Sequence, residues 1–331
     1  MKLSICIPTY NRPEFLHNCL NSILISKKSC SKFKFEVCIS DNSNSKLNKP
    51  VIEKFKKKYK IKYITNKKNI GYVKNYLKVV KIANGEYVWV IGDDDILKPN
   101  SLKILYKNLY GNKKIDFFYI NSNTLHYKYL LNFKSPFETY KLPKKMESFS
   151  RLKKNKIVNF LDLIDYNVSW DFLLGIFQSI YKKEKFLAQI KILNKKKLYQ
   201  KGVWSTFENT CFIQELYAAS FNKSKAYIQT TPLIVSTWGH KEWKDLYDFI
   251  KIVRIPEMLN MYRKYGLNFF VYLKMKNFSL KDFFPGLRNI FKAGKKGGIS
   301  YLNFYDHIFI NIFFPSIYIN LTKKIFKKLI S

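Results

Sequence analysis

Over its first hundred residues the chain alternates short apolar runs with amphipathic stretches, and this alternation limits the fold more than any other feature. Residues 3–7 form an apolar run halted by Pro8; Pro13 then opens a stretch whose apolar positions (Phe15, Leu16, Cys19, Leu20, Ile23, Leu24) recur at helical spacing. The same reading predicts strands over 35–40 and 60–65, helices over 51–59 and 72–83, and a fourth strand over 87–91. A βαβαβαβ order calls for a mostly parallel sheet with helices on both faces. The fourth strand, Tyr87-Val-Trp-Val-Ile91, is apolar throughout and stops at Gly92, followed by Asp93, Asp94 and Asp95. Three carboxylates thus stand at a strand's carboxyl end, where open α/β sheets bind ligands. Adjacent carboxylates repel unless solvent or a cation compensates, so the triplet reads either as a site for a hard divalent metal or as a solvated acidic turn.

Composition narrows the function classes. Hydrophobic residues at 47% and aromatics at 17% exclude a disordered chain, and 331 residues allow one large or two modest domains. Sixty Lys and Arg against 23 Asp and Glu give a net charge of +37, a field that attracts nucleic acid, an anionic membrane face or phosphorylated substrates. The basic residues are scattered, with no arginine-rich block and no nucleic-acid fold signature, so no specific nucleic-acid partner is expected. Part of the excess simply follows a composition rich in Lys, Asn, Ile, Phe and Tyr. Cys6, Cys19, Cys30, Cys38 and Cys211 form no CxxC pair and read as reduced core thiols of a cytoplasmic protein. The first residues lack a signal peptide's apolar region, and four histidines are too few for a His-rich metal site.

Four motifs, each at a strand end, carry a resemblance. Ile5-Cys-Ile-Pro-Thr-Tyr-Asn-Arg12, Ile39-Ser-Asp-Asn-Ser43, Asn69-Ile-Gly71 with Asn75, and Gly85-Glu-Tyr with Ile91-Gly-Asp-Asp-Asp-Ile-Leu97 resemble the successive motifs of the nucleotide-binding domain of glycosyltransferase family 2. The Gly-Asp-Asp-Asp form is similar to the abequosyltransferase-like subgroup that builds bacterial surface polysaccharides and lipopolysaccharide. The resemblance covers about residues 1–125 and implies a GT-A fold, a nucleotide diphosphate sugar as donor and Mn²⁺ or Mg²⁺ as cofactor. It places Pro8, Thr9, Tyr10, Arg12, Asp41, Asn75, Asp93 and Asp94 around the donor. Tyr10 would offer a face to the base, Asp41 would accept from the base or ribose, Arg12 would approach phosphate, and Asn75 would be secondary. Asp94 or Asp95 would touch the metal, with Asp93 orienting ribose or a metal-bound water. A direct overlay of Asp-x-Asp selects Asp93 and Asp95 instead.

Beyond residue 100 the pattern predicts a helix over 101–110, a strand over 116–121, a mobile loop or family-specific decoration over 126–156, a helix over 159–166 and a strand within 170–181. The resemblance implies an inverting transfer, whose base should open a helix about a hundred residues past the acidic triplet. Trp204-Ser-Thr-Phe-Glu-Asn-Thr-Cys-Phe-Ile-Gln-Glu215 occupies that place without the family's Glu-Asp pair; Glu208 is the first choice, Glu215 the second and Asp171 an outsider. After a strand over 226–236, Thr237-Trp-Gly-His-Lys-Glu-Trp243 resembles a loop that closes on the donor, with His240 as a metal ligand and Lys241 beside phosphate. Residues 126–245 are read as the acceptor side and 246–331 as a helical, aromatic and basic region. Polar residues and Pro315 interrupt its apolar run, which favours a peripheral surface on an anionic inner leaflet over a membrane span, with a helical cap or oligomer interface as the alternative. The expected acceptor is a lipid-linked glycan; the rival reading is an inactive relative that binds a glycan or a partner.

Overall fold

The computed structural model describes residues 2–43, 46–133, 136–199, 205–239 and 244–330. The first half runs β1 (Leu3–Thr9), α1 (Pro13–Lys28), β2 (Phe35–Asp41), α2 (Lys49–Lys56), β3 (Ile61–Thr65), α3 (Tyr72–Lys81), β4 (Tyr87–Val90), β5 (Ile96–Leu97) and α4 (Ser101–Gly111). It continues with β6 (Phe117–His126), α5 (Lys128–Leu131), β7 (Lys156–Asn159), β8 (Ser179–Lys182), α6 (Lys183–Ala188), α7 (Lys195–Leu198), α8 (Phe207–Phe221) and β9 (Lys225–Trp238). A helical region closes the chain: α9 (Tyr247–Phe249), α10 (Ile255–Lys264), α11 (Phe269–Ser279), α12 (Phe283–Ala293) and α13 (Pro315–Ile330).

The strands form one mixed sheet in the order β3-β2-β1-β4-β8-β6-β9-β5, with β7 also paired to β9. The predicted parallel half is there: β3, β2, β1 and β4 are mutually parallel. β8 then enters antiparallel between β4 and β6, and β5 and β7 pair antiparallel with β9, so the second half is more mixed than the βα alternation suggested.

Side chains alternate across the strands as the pleat requires. Ile5, Val37, Trp89 and Phe118 pack on the α1 and α4 side, while Cys6, Cys38, Val88 and Phe117 face α3, α8 and α10. Both faces are covered, which is why the strands read as continuous apolar runs. Pro8 is tolerated in a central strand for a geometric reason. Ile91 N–H bonds to Cys6 O, so alternate residues of β1 face β4, and by Pro8 that neighbour has already left the ladder.

Two local expectations changed and one open alternative closed. The described residues of 126–156 are packed as a folded decoration: Leu130 and Phe137 pack against Ile96 and Val235, and Ser148 bridges to Asn123. Residues 159–166 begin with the end of β7 and give only a short 3₁₀ turn (Phe160–Leu163) rather than a helix. Of residues 170–181, only the last three are strand; the rest is a turn with Phe172 (φ 49°) and Leu173 (φ 75°) in the left-handed region. Its apolar side chains are buried by tertiary packing, which mimics a strand's composition.

Candidate active site

β1, β2 and β3 end level with one another, with Thr9 beside Asp41 and Asp41 beside Thr65. Their following loops therefore share one edge of the sheet with the acidic turn after β4. Asn11, at φ 51°, turns the chain sharply after β1 and donates its N–H to Ser43 Oγ at 2.8 Å, tying the first two loops together.

At this edge Asp93, Asp94 and Asp95 are all buried, which removes the solvated-turn reading. Asp93 Oδ2 accepts from the Thr9 hydroxyl at 2.7 Å, and its Oδ1 lies 3.6 Å from Arg12 Nη1. Asp95 Oδ2 accepts from Gly92 N–H at 2.7 Å, closing the turn on itself. A Cβ on Gly92 would stand 2.5 Å from Asp94 Oδ1 and 3.2 Å from Asp95 Oδ2, so glycine is what lets both carboxylates fold back over the strand end. The neighbouring Cys19 thiol is pushed well up by burial and by the three carboxylates.

Hard oxygen donors so arranged fit a divalent cation held by one or two carboxylates and completed by phosphate oxygens and water. Among the described residues no three His, Cys, Asp or Glu groups converge as a closed cage. His240 and Lys241 lie outside the described residues.

The remaining donor-side residues separate into two kinds. The Tyr10 ring is 42% exposed just past β1, open to a ligand. Asp41 is buried and already holds three donors: Ser43 N–H at 2.8 Å, Asn48 Nδ2 at 3.2 Å and the Tyr63 hydroxyl at 3.0 Å. Burial and the Asp41 charge push the Tyr63 phenol upward, so it remains a donor. Asn75 is buried too, donating to Ser40 O at 3.1 Å and accepting from Asn66, which also donates to Asn42 Oδ1 at 2.7 Å. Sequence reading missed Asn48, Tyr63 and Asn66. Asn66 follows β3 as Asn42 follows β2, and a polar residue at each parallel strand's end was the available signal.

Helix α8 carries the candidate bases. Phe212 meets Tyr72 and Tyr76 edge-on at 5.9 and 5.4 Å, and Tyr217 meets Phe117 at 5.1 Å. Tyr72 opens α3 at the strands' carboxyl edge, whereas Phe117 opens β6 at the opposite edge. The amino end of α8 therefore points toward the acidic turn, capped by the Thr206 hydroxyl accepting from Asn209 N–H at 3.1 Å. Glu208 sits in that first turn, 3.4 Å from Lys197 Nζ. Glu215 lies further along α8, beyond a kink at Cys211 (φ -114°, ψ 17°). Burial, then the charge of Glu208, raises its pKa, against the opposing pull of Lys264.

Asp171 lies at the same edge as Glu208, because the residues before β8 lie beyond the carboxyl ends of β4 and β6. It is buried; the Ser169 hydroxyl donates to one oxygen and Gly175 N–H to the other at 3.2 Å. Burial raises its carboxyl pKa, with those hydrogen bonds opposing. Bulky residues at positive φ are strained, and here Gln214 Nε2, 2.8 Å from Leu173 O, holds the turn in place.

Comparison with known proteins follows this geometry. The sequence pattern described as Glycosyl transferase family 2 matches residues 4–185, more than half of the chain. The chain belongs to glycosyltransferase family 2. Abequosyltransferase RfbV of Salmonella typhimurium is 42% identical over 107 residues, 32% of this chain and 32% of that protein. The match thus spans about a third of that relative's length. An uncharacterized glycosyltransferase of Methanocaldococcus jannaschii is 28% identical over 215 residues, 58% of this chain and 71% of its own. The crystal structure of S. aureus TarS 1-349 in complex with UDP is similar with a TM-score of 0.55 and 18% identity, over 91% of this chain and 75% of that one. The family 2 chain has the GT-A architecture that its motifs implied.

Proposed function

We propose that this family 2 chain transfers a glycosyl unit, with inversion, from a nucleotide diphosphate sugar to a hydroxyl of a lipid-linked glycan in bacterial surface-polysaccharide synthesis. The observation that carries the reading is the buried acidic turn: Asp93 locked to Thr9 beside Arg12, with Asp94 and Asp95 folded over Gly92. The likeness to the abequosyltransferase supports the polysaccharide setting, and the UDP-bound TarS structure supports a nucleotide.

In this reading the exposed Tyr10 ring stacks on the base. Asp41 meets the base or ribose, exchanging one of its three internal donors for the ligand. Arg12 approaches the diphosphate, and its attraction to Asp93 keeps it pointed there. Asp94 and Asp95 would hold Mg²⁺ or Mn²⁺, which supplies charge neutralisation of the departing diphosphate. Glu208, at the amino end of α8 and 3.4 Å from Lys197 Nζ, removes the acceptor proton. Asp171 is the second reading for the base, favoured by its buried carboxyl in a strained turn. The chain works on the cytoplasmic face of the membrane, where nucleotide sugars are made.

The test is Asp94→Asn and Asp95→Asn, each assayed for donor hydrolysis with and without Mn²⁺. Loss of the metal-dependent rate in at least one is expected; full metal-dependent activity in both would remove the assignment. An inactive, glycan-binding relative would show nucleotide binding by thermal shift with no turnover on any acceptor extract.

A further inference from the structure

Residues 304–319 expose a run of large apolar side chains that the catalytic site does not use. Phe304 is 72% exposed and Phe313 69%, with Tyr305, Phe309, Tyr318 and Ile319 also open to solvent. Their arrangement is ordered. Tyr305 stacks on Phe309 at 5.6 Å and Phe309 meets Phe313 edge-on at 5.5 Å, so rings spaced four residues apart form one continuous ladder. Isolated surface aromatics need no explanation, but a contiguous ladder of this kind marks an interaction surface.

Charge chooses the partner. Residues 244–331 hold sixteen Lys and Arg against five Asp and Glu, and Asp306 is the acidic residue within the ladder's own stretch. On α12, whose Phe284 contacts Tyr318 at 6.1 Å, Arg288 and Lys292 are exposed, and Lys295 and Lys296 follow. Between α12 and α13 a hollow of about 280 Å³ is lined by Phe284, Pro285, Leu321, Arg288 and Asn289, an apolar wall with a guanidinium on its rim. Rings at the level of the headgroups with cations beside them suit an anionic bilayer surface. Among the described residues no helix is long and apolar enough to cross a membrane, which suits a face that lies on the bilayer.

The ladder is also fixed to the catalytic body. His307, buried under it, is 3.0 Å from Glu257 Oε1; Glu257 pairs with buried Arg254; and Arg254 Nη2 donates to Ser205 O at 3.2 Å, just before the amino end of α8. A surface tied this way to the helix bearing Glu208 holds the site at a set height over whatever it rests on.

We propose that the Tyr305–Phe309–Phe313 ladder and its flanking cations seat the enzyme on an anionic bilayer at a fixed orientation. The proposal rests on the reading of a lipid-linked acceptor, and names the surface that delivers the site to it. The full chain is sedimented with vesicles of phosphatidylcholine alone and of phosphatidylcholine mixed with phosphatidylglycerol, alongside Phe309→Ser/Phe313→Ser. Wild type should bind the mixed vesicles, with the double variant weaker by about tenfold or more. A thermal shift by UDP or CDP with Mn²⁺, measured without lipid, should be the same for both proteins and reads the donor site independently. Equal sedimentation of the two proteins, indifference to the anionic lipid, or a homodimer that the double variant dissociates would overturn the proposal.

Discussion

The Thr9 hydroxyl donates to Asp93 Oδ2 at 2.7 Å, joining the end of β1 to the acidic turn across 84 positions of sequence. Both groups are buried, so the bond is a charge-assisted contact sheltered from water. Thr9→Val keeps the shape and removes the donor. It should cost about 1.5–3 kcal/mol of stability and weaken nucleotide binding, with Thr9→Ser restoring both. Denaturant titration and a nucleotide thermal shift measure the two effects; a Val variant matching wild type in both would show that the knot does nothing for the site.

Gly92 has no side chain to stand between the strand end and the carboxylates. In Gly92→Ala the new Cβ would meet Asp94 Oδ1 at 2.5 Å and displace it. We expect a folded protein by circular dichroism whose Mn²⁺-dependent stabilisation by nucleotide falls about tenfold or more, a cost of roughly 1.4 kcal/mol. A metal-dependent shift as large as in wild type would mean that Asp94 need not sit where it does.

Asp171 has its pKa raised by burial. Between the ordinary carboxylate range and that raised value the folded state binds more protons than the unfolded one, so stability falls as pH rises through the window. Asp171→Asn should therefore raise the thermal midpoint at pH 7, and the gain should shrink as pH falls through the raised value and be gone by about pH 4. If the variant also loses transfer while keeping nucleotide binding, Asp171 is the base. A variant less stable at pH 7 would mean that the ionised form, fixed by Ser169 and Gly175, holds the turn.

Lys276 is buried on α11 beside Asn260 Oδ1, the Tyr272 hydroxyl and the Phe314 ring, and burial lowers its pKa to about 8. The unfolded chain therefore binds the proton more tightly, and the penalty is full below about 8 and gone above the ordinary lysine value. Lys276→Met should be more stable than wild type at pH 7, with the two converging near about pH 10.4. Thermal melts across that range decide it; a less stable Met variant would show that the contact with Phe314 outweighs the cost of burial.

Much of the donor side was legible because it is made of local events. A strand buried on both faces must be apolar along its length, and its carboxyl end is marked by a change to polar residues or glycine, as at Thr9, Asp41 and Gly92. The edge that collects Thr9, Tyr10, Arg12 and Asp93 followed from the parallel order alone. The second half was less legible for the same physical reason. Residues 170–178 are apolar because β6, α8 and α10 pack around them, and composition cannot distinguish that from a strand. Asn48, Tyr63 and Asn66 act through partners that only the folded chain brings near.

The amino-acid order by itself determined the βα alternation, the family and the line of carboxylates after β4, since each depends on neighbours within a few positions. Tertiary structure alone decided that Asp93 is held by Thr9, that the amino end of α8 with Glu208 points to the donor edge, and that a strained turn carries Asp171 to that same edge. Those outcomes depend on which distant surfaces bury one another, and burial is a property of the packed chain rather than of any segment of it.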